Sequence, residues 1–533
     1  MSYVFGIDLG TTYSCISYVD EMGLPVVIKN SDNEDTTASV VYFENSTNVV
    51  TGNAAKESSI LYPKQTVSFV KQLMGKSDHA IDYNGESLPP AEVSAHILKK
   101  LVQDAAKSLG VEESDIKDVV ITCPAYFGTA EKAATEDAGE IANLNVLEII
   151  DEPTAAAIHY AIAKGNDSKT FMVYDLGGGT FDVVIMNISG GNIKLLCTEG
   201  DHELGGKDWD KEVGDLLERR FREMAKEDYE TRNPGTEIDE YNLNDFEKQD
   251  LVLKSEKAKR DLTNKDKATA ILTIAGITKG IDVTRSEFDN ITLYLLDRTI
   301  GKANDAISVA KDKGYEVEEI LLVGGSTYMV QVAERLTEEY GIKPRLNEPN
   351  AAVAKGASLY AYNLGKKPKL GKPAPPLPVI EWIATKSYAV RVWVSDTEEK
   401  CLNMIFKNSD MPDGVVSVIG KFGTYSANLD AVDVKVYESE IDDRENPYYE
   451  VDENYFLAAA TFDLDGTLPK DAPLEATLTL NNEGILRVTG RDLTNKQILM
   501  SEGKEYATMN ATGFMSREKV FESKKRVGGI STR

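Results

Sequence analysis

The sequence is short of cysteine, histidine and long apolar runs, and each shortage excludes a class of protein. The cysteines are scattered without a Cys-x-x-Cys pair, which argues against a disulfide framework and fits a reducing cytoplasm. The histidines show no metal-ligand spacing, so we expect no zinc site. No apolar run reaches the ~18 residues that cross a membrane. The N-terminal residues begin a strand and include Asp8, which is unlike a signal peptide.

Positive charge is also scarce. The chain has 59 Lys and Arg against 87 Asp and Glu, for a net charge of −28. Because like charges repel, we expect neither nucleic acid nor an anionic membrane as a partner. With 42% hydrophobic and 27% charged residues, the 533-residue chain has a globular composition, and its length favours roughly two to four domains.

The stretch from Phe171 to Ile185 predicts a strand, a glycine turn and a returning strand. Its three glycines let backbone N–H groups approach an anion closely, and Thr180 adds a hydroxyl donor. Asp175 and Asp182 flank the turn, where carboxylates suit a hydrated Mg²⁺. A glycine hairpin alone is weak support, since many such turns are plain hairpins.

The same order of strand, Asp-Leu-Gly, Thr and strand occurs a second time, from Val4 to Ser14. Two copies predict two similar half-domains that each offer a phosphate loop to one cleft. Neither is a Walker A loop, because no Gly-Lys-Ser/Thr follows and a strand rather than a helix comes next.

Two further residues allow a structural and a functional interpretation. Lys71 is either a surface lysine or a cation that reaches phosphate oxygens. Glu152 stands at a strand-to-helix corner before Pro153, where it either caps the helix or orients an attacking water. Ile320 to Thr327 predicts a strand and a Gly-Gly-Ser turn that a nucleoside could approach closely.

Taken in order, the two Asp-Leu-Gly hairpins, Glu152-Pro-Thr-Ala-Ala-Ala and Gly324-Gly325-Ser326-Thr327 resemble the ATPase domain of the 70-kDa heat-shock (DnaK) chaperones. The resemblance runs from Ser2 to about Leu364. It implies an α/β actin-like domain over residues 1–365, with two lobes around a cleft that binds ATP or ADP and Mg²⁺.

The resemblance also assigns roles to matching positions. It implies that Asp8 and Asp175 hold Mg²⁺ through waters, and that catalysis uses Lys71, Glu152, Thr180 and Asp182. Its implied nucleotide contacts are Gly10, Thr11, Thr12, Tyr13, Gly177, Gly178, Gly179, Thr180, Glu256, Lys259, Arg260, Thr263, Gly324, Gly325, Ser326 and Tyr328. Such a site is physically coherent, since phosphoryl transfer depends mostly on positioning and charge stabilisation.

A second domain follows a change in composition. Residues 366–384 are rich in proline and predict a semi-rigid extended linker. Residues 385–500 contain short alternating strands that predict a smaller all-β sandwich. This sandwich resembles the family's peptide-binding domain, which holds extended or unfolded peptides by main-chain hydrogen bonds and a pocket. Val390, Phe422 and Val432 fall where that family lines its apolar groove, although each fits an ordinary sandwich core equally well.

Residues 501–533 form a short tail in which Ser516 to Lys525 predicts one charged helix. The family's helical lid needs many more residues, so we expect a missing lid or a stub, with fast substrate release.

Four positions depart from the family pattern. Proline-rich sequence replaces the family's acidic-hydrophobic linker, and Glu148 replaces an Arg that anchors J-domain partners, which argues against the standard J-domain contact. Lys132 replaces an Arg that relays the nucleotide signal with Pro124, keeping the charge without the planar fork. Tyr328 replaces an Arg that stacks on adenine, and its ring can stack there instead.

The leading hypothesis is a cytoplasmic, ATP-hydrolysing chaperone that binds unfolded peptides, with a nucleotide-exchange factor as an implied partner. Two alternatives stay open at this point. One is a metabolite kinase on the same fold, and the other is a nucleotide-sensing scaffold with little turnover.

Overall fold

The structure, a computed structural model, describes residues 3–76, 81–83, 86–164, 168–346, 348–364, 376–395, 397–464, 466–509 and 515–533. Residues 366–375 of the predicted linker lie outside the described residues. Within the described ranges, no helix combines the length and the apolar character needed to cross a bilayer.

The first part of the chain builds a mixed sheet, here called the first sheet, with strand order β11-β10-β1-β2-β3 and with β4 also paired to β2. β1 is a central strand that lies antiparallel to β2 and parallel to β10. Asp8 is its last residue and lies at the carboxyl end of the strand. α2 begins at Pro90, which suits a first helical position, and ends before Gly110, whose φ of 67° suits a helix end. The elements are β1 (Val4–Asp8), β2 (Tyr13–Val19), β3 (Pro25–Val27), β4 (Thr37–Ala38), β5 (Val41–Asn45), β6 (Asn48–Thr51), α1 (Asn53–Ser58), β7 (Thr66–Val67), β8 (Ile81–Tyr83), β9 (Glu86–Leu88), α2 (Pro90–Leu109), β10 (Asp118–Cys123), α3 (Thr129–Ile141), β11 (Asn145–Asp151) and α4 (Glu152–Lys164).

The next part builds a second sheet around the predicted central hairpin, in which β12 pairs antiparallel with β13 and parallel with β17. Its core includes the fully buried side chains of Tyr174, Phe181, Trp209 and Phe221. The elements are β12 (Lys169–Leu176), β13 (Phe181–Ser189), β14 (Asn192–Asp201), α5 (Gly206–Arg232), α6 (Asp245–Leu262), β15 (Lys267–Ile274), β16 (Ile277–Thr284), α7 (Arg285–Asp312), β17 (Glu319–Val323), α8 (Val330–Tyr340), β18 (Arg345–Leu346) and α9 (Ala352–Leu364).

Helices α4 and α9 pack closely against each other beside both sheets. A Cβ at Gly356 would lie 1.7 Å from the Ala155 carbonyl oxygen, so only glycine lets the two backbones approach this far. Their shared core includes residues of both sheets, among them Val120 and Val173. The two sheets are therefore joined through one apolar contact layer.

The β-rich region forms two packed antiparallel sheets, as the alternating pattern predicts. One has the order β25-β21-β20-β24-β26, and the other has β23-β27-β28-β29 with β30 paired to β28. On β27, Leu474, Ala476, Leu478 and Leu480 point inward at every second position. The elements are β19 (Ile380–Ile383), β20 (Ser387–Trp393), β21 (Glu399–Ile405), β22 (Asp410–Met411), β23 (Val415–Gly423), β24 (Ala431–Ser439), β25 (Tyr448–Glu450), β26 (Phe456–Asp463), β27 (Pro473–Asn481), β28 (Leu486–Asp492), β29 (Gln497–Leu499) and β30 (Ala507–Met509).

The end of the predicted linker forms a strand. β19 pairs parallel with β14, with Ile193 opposite Ile380, and antiparallel with β22. The second sheet therefore has the order β18-β17-β12-β13-β14-β19-β22 and continues into the β-rich region. Polar contacts add to this junction: Thr129 Oγ1 donates to Glu438 Oε2 at 2.8 Å, and Thr198 N donates to Asn408 Oδ1 at 2.9 Å.

The tail returns to the first part of the chain. α10 (Arg517–Gly529) packs on α2 and α3, and β31 (Ser531–Thr532) pairs parallel with β6. Val520 and Val527 are buried in the core of the first part. The predicted helix over 516–525 is thus present, and it covers the surface of α2 rather than the sandwich.

Candidate active site

The two predicted glycine loops meet face to face. A Cβ at Gly178 would lie 2.2 Å from Thr12 Oγ1, and one at Gly179 would lie 2.7 Å from Thr11 Cγ2. Contacts this short exclude any side chain larger than hydrogen. The fold therefore brings both Asp-Leu-Gly hairpins to one place, although more than 150 residues separate them in the sequence.

Each carbonyl group of the second glycine loop accepts a hydrogen bond. The Gly177 oxygen accepts from Gly206 N and Ser326 Oγ, and the Gly178 oxygen accepts from Lys207 N at 2.8 Å. The Gly179 oxygen accepts from Gln72 Nε2 at 2.7 Å. In a trans peptide the next N–H points opposite to the carbonyl. Successive N–H groups of residues 178–180 therefore face away from these donors, an arrangement that suits an anion.

A cluster of buried charges lies beside the loops. It consists of one lysine and four carboxylates that the sheets deliver from separate strands and turns, namely Asp8, Lys71, Glu152, Asp175 and Asp182, all at most partly accessible. Lys71 Nζ forms an ion pair and hydrogen bond with Glu152 Oε1. Helix α4 is capped by Asp151, whose Oδ1 accepts from Thr154 N at 2.8 Å, so Glu152 is left to pair with Lys71.

Burial and mutual repulsion raise the pKa values of these carboxylates. Desolvation, followed by repulsion from Glu152, raises the pKa of Asp8 to about 7. The same two causes raise the pKa values of Asp175 and Asp182 well above their ordinary range, and the Lys71 charge opposes them. So much buried negative charge needs a cation as well as the single lysine.

A magnesium ion fits this cluster. Asp182 Oδ1 is buried without a hydrogen-bond partner, and carboxylate oxygens are the ligands that Mg²⁺ prefers. Within the described part of the chain, no group of three or more His, Cys, Asp or Glu residues is arranged as a direct metal cage. Mg²⁺ commonly keeps several waters and binds through one or two carboxylates together with substrate phosphates. Asp8 and Asp175 can supply the carboxylates.

The predicted adenosine contacts lie in two places, on α6 and in the turn that follows β17. Lys259 Nζ, on α6, lies 2.8 Å from both Asp210 Oδ1 and the Gly206 oxygen. Gly324 has φ 82°, and a Cβ at this position would lie 2.4 Å from Asp175 Oδ1. Tyr328 is 44% exposed, so its ring is available for stacking. Gly325 is also exposed, whereas Ser326 is buried against the Gly177 oxygen, and Thr263 Oγ1 donates to the Arg260 oxygen.

Some of these contacts are already linked across to the first glycine loop. The Tyr13 hydroxyl lies 3.3 Å from Glu256 Oε1, 2.9 Å from Lys56 Nζ and 3.4 Å from Arg260 Nη1. Lys56 Nζ also pairs with Glu256 Oε2 at 2.5 Å. Residues of β2 and α1 therefore meet residues of α6 beside the first glycine loop, where Gly10 donates its N–H to Ser14 Oγ.

Sequence reasoning missed several neighbours of the site. Lys56 lies in α1, and no motif marks it. Gln72 follows Lys71 directly, and Lys207 follows Gly205-Gly206 in a loop that the sequence shows to be glycine-rich. Tyr126 is also missing from the predicted set, although its ring packs edge-on against His202 beside Thr180. Adjacency to Lys71 was the available signal for Gln72, and the glycine-rich loop was the available signal for Lys207.

The positions that depart from the family pattern lie near the junction with the sandwich. The Tyr360 hydroxyl donates to Glu148 Oε1 at 2.9 Å, and burial raises the pKa of Glu148. Lys132 packs against Gly484 of the sandwich. A Cβ at Gly128 would lie 2.0 Å from Glu438 Oε1, so a larger residue would displace this carboxylate from its observed contact.

The three predicted groove residues differ in exposure. Val390 is 2% exposed and belongs to the sandwich core. Phe422 and Val432 are partly exposed and pack against that core. The Phe422 ring lies over Gly420, where a Cβ would come within 2.6 Å of it. Nearby strand ends carry more accessible apolar side chains, including Trp393 and Tyr425.

A mixed α/β region with two phosphate-type glycine loops around buried carboxylates, followed by a β-sandwich, defines a nucleotide-hydrolysing protein with an appended β domain. Comparison with known proteins identifies the class further. A family model described as Hsp70 protein matches residues 4–519. Chaperone protein DnaK of Thermotoga neapolitana is 34% identical over 503 residues, which cover 92% of this chain and 78% of the relative. Chaperone protein DnaK of Thermosipho africanus is 34% identical over 502 residues, with the same coverage.

The chain belongs to the Hsp70 family. It is an ATP-hydrolysing chaperone with the actin-like ATPase and β-sandwich fold of that family, as the sequence predicts. The metabolite-kinase and scaffold alternatives are not favoured.

Proposed function

We propose that the two sheets are the two lobes of one ATPase domain over residues 1–365, and that ATP with Mg²⁺ binds in the cleft between them. The observation that supports this most strongly is the meeting of the two glycine loops over the buried cluster of Asp8, Lys71, Glu152, Asp175 and Asp182. In this proposal, the loops donate backbone N–H groups to the phosphates. The adenosine lies against α6 and the Gly324–Tyr328 turn.

The charged residues then divide the work of hydrolysis. Asp8 and Asp175 would hold Mg²⁺, which would supply charge neutralisation of the phosphate oxygens. Lys71 acts as a fixed cation beside the transferring group, and its bond to Glu152 fixes its direction. Glu152 and Asp182 accept hydrogen bonds from the attacking water, and the Thr180 hydroxyl donates towards the phosphate.

The sandwich, residues 385–500, is proposed to bind extended or unfolded peptide segments in the cytoplasm. Phe422 and Val432 contribute to its apolar groove, with Val390 supporting it from beneath. Because the segment 366–384 ends in β19, which adds to the second sheet, lobe movement transmits directly to the sandwich. Glu438 and Thr129 form the second link. A nucleotide-exchange factor is proposed as a partner, and Glu148 disfavours the standard J-domain contact.

The decisive experiment is the dependence of ATPase rate on unfolded peptide. We expect peptide to raise turnover, and ATP to lower peptide affinity relative to ADP. The tail helix α10 packs on α2 and α3 of the ATPase region. An ATPase indifferent to peptide, with peptide affinity equal in both nucleotides, would refute the coupling while leaving the ATP site in place.

A further inference from the structure

A chain of two hydrogen bonds joins the lobes beside the second glycine loop. Gln72 lies in the 3₁₀ turn Val70–Leu73 of the first lobe, directly after Lys71. Its Nε2 donates to the Gly179 oxygen at 2.7 Å, and its Oε1 accepts from Lys207 Nζ at 2.7 Å. One side chain therefore holds a loop carbonyl and the start of α5, both in the second lobe, at the same time.

Lys207 favours one of the two orientations of the Gln72 amide. An ammonium group only donates hydrogen bonds and a carbonyl only accepts them, whereas a glutamine amide has a donor end and an acceptor end that exchange when it flips. The amide oxygen faces Lys207, and the amide nitrogen faces the carbonyl oxygens of Gly179 and, at 3.4 Å, His202. The lysine charge therefore acts in the same direction as both carbonyls.

An ion pair does not account for the placement of Lys207 among the described residues. Within the described residues, no carboxylate forms an ion pair with Lys207, and a cation in the first turn of a helix opposes the helix dipole. Its Nζ lies 5.9 Å from the centre of the Phe69 ring, and its backbone N–H bonds to the Gly178 oxygen. It is therefore attached to the loop at one end and to the opposite lobe at the other.

The turn that carries Gln72 begins at an unusual backbone conformation. Phe69 has φ 59° and ψ 23°, a left-handed conformation that a bulky side chain rarely adopts. Such strain persists where surrounding contacts over-determine it, often at functional sites. Here it directs both Lys71 and Gln72 into the cleft, and it places the Phe69 ring over Lys207.

We propose that Gln72 and Lys207 are positioning residues for ATP hydrolysis, a role that rests on the proposed ATP site. When the lobes close, Lys207 orients the Gln72 amide, and Gln72 holds the Gly179–Thr180 peptide so that its N–H group faces the bound phosphate. Neither side chain contacts the substrate in this arrangement. Lobe closure and loop geometry are thereby coupled by a single glutamine.

The test compares steady-state hydrolysis and ADP affinity in matched variants. Gln72→Leu should lower kcat about tenfold, the size expected from one lost hydrogen bond near the reacting group. Lys207→Glu should be similarly slow, because a carboxylate turns the amide oxygen towards the Gly179 carbonyl. Lys207→Arg keeps a donor and should retain most of the rate. ADP affinity should change less than about threefold in each, because the loop acts mainly on the transition state.

A double variant separates the chain from a general structural effect. In a Gln72→Leu background, Lys207→Glu should cause no further loss, since the lysine acts through the glutamine. Lys211→Met, one turn further along α5 and well exposed, is the control and should match the wild type.

Wild-type kcat in Gln72→Leu, or an equal effect of Lys207→Glu in both backgrounds, would overturn the proposal. Failure of the ATP-site assignment is recognised separately, because Lys71→Ala would then hydrolyse ATP normally whatever the Gln72 result.

Discussion

The attachment of the tail provides a sharp quantitative prediction. Glu92, on α2, has a carboxylate that is almost completely buried beneath α10. Arg526 Nε donates to its Oε1 at 2.9 Å, Arg526 Nη2 donates to its Oε2 at 2.6 Å, and Ser523 Oγ donates to Oε2 at 2.5 Å. Substitution of Arg526 by Ala removes the only cation of this group and two of its three hydrogen bonds.

The cost follows from the burial of the remaining carboxylate. Removing one partner of a buried ion pair typically costs about 3–5 kcal/mol, because the other charge is left uncompensated. Arg526 is itself partly exposed, so we expect the lower end, about 3 kcal/mol. Since α10 and β31 are the last elements of the chain and can open while the first sheet stays folded, the penalty should favour local opening. An opening equilibrium shifted by about 3 kcal/mol corresponds to roughly a hundredfold faster exchange of the tail amides.

The assay is hydrogen–deuterium exchange of residues 517–532, with Arg517→Ala as the matched control. Arg517 lies on α10 like Arg526, and its Nη1 donates to Glu140 Oε2 of α3 at 2.5 Å, but the two side chains are 80% and 43% exposed. Exposed pairs contribute about 0–1 kcal/mol, so exchange should rise less than about fivefold. Adding Glu92→Met to Arg526→Ala should recover much of the protection, because the buried charge is gone. Equal exchange in Arg517→Ala and Arg526→Ala would refute the reasoning.

Three further predictions follow from separate parts of the structure. Lys71→Ala should lower kcat by about 10²–10³-fold, as for removal of one charge-stabilising group, while ADP binding, measured by calorimetry, persists; normal turnover would contradict the site assignment. Gly128→Ala should weaken docking of the sandwich, because its Cβ would overlap Glu438, and an unchanged peptide response of the ATPase would argue against this contact. Burial lowers the pKa of His96 to about 4, so the unfolded state binds the extra proton between about pH 6.5 and 4, and stability should fall across this window by up to about 3 kcal/mol; denaturant unfolding of His96→Gln should show a shallower pH dependence.

Local patterns predicted most of the elements, because hydrophobic periodicity and turn residues are properties of short segments. The strand, turn and strand predicted over 171–185 correspond to β12, the glycine loop and β13. The charged helix predicted over 516–525 overlaps α10, and the alternating strands predicted over 385–500 form the two sheets of the sandwich. Glycine spacing also marked both loops of the active site, since only glycine permits their contact.

Contacts between distant segments could not be predicted in the same way. Nothing near Gln72 in the sequence indicates that its amide lies between Gly179 and Lys207. The charged residues of α10 predicted a solvated helix, and the buried partner of Arg526 lies more than 400 residues earlier. β19 lacked a strand prediction because its pairing partner, β14, belongs to another region.

Anchoring at both ends constrains how far the sandwich can travel. The chain enters the sandwich from the ATPase region through β19 and returns to that region through α10. Six residue steps separate Met509 from Met515. Fully extended, these steps span at most about 21 Å. While α10 stays attached, a sandwich released from β14 therefore remains at an effective concentration of millimolar order or above. Re-association would be unimolecular and independent of protein concentration, in contrast to two domains connected by a single flexible segment.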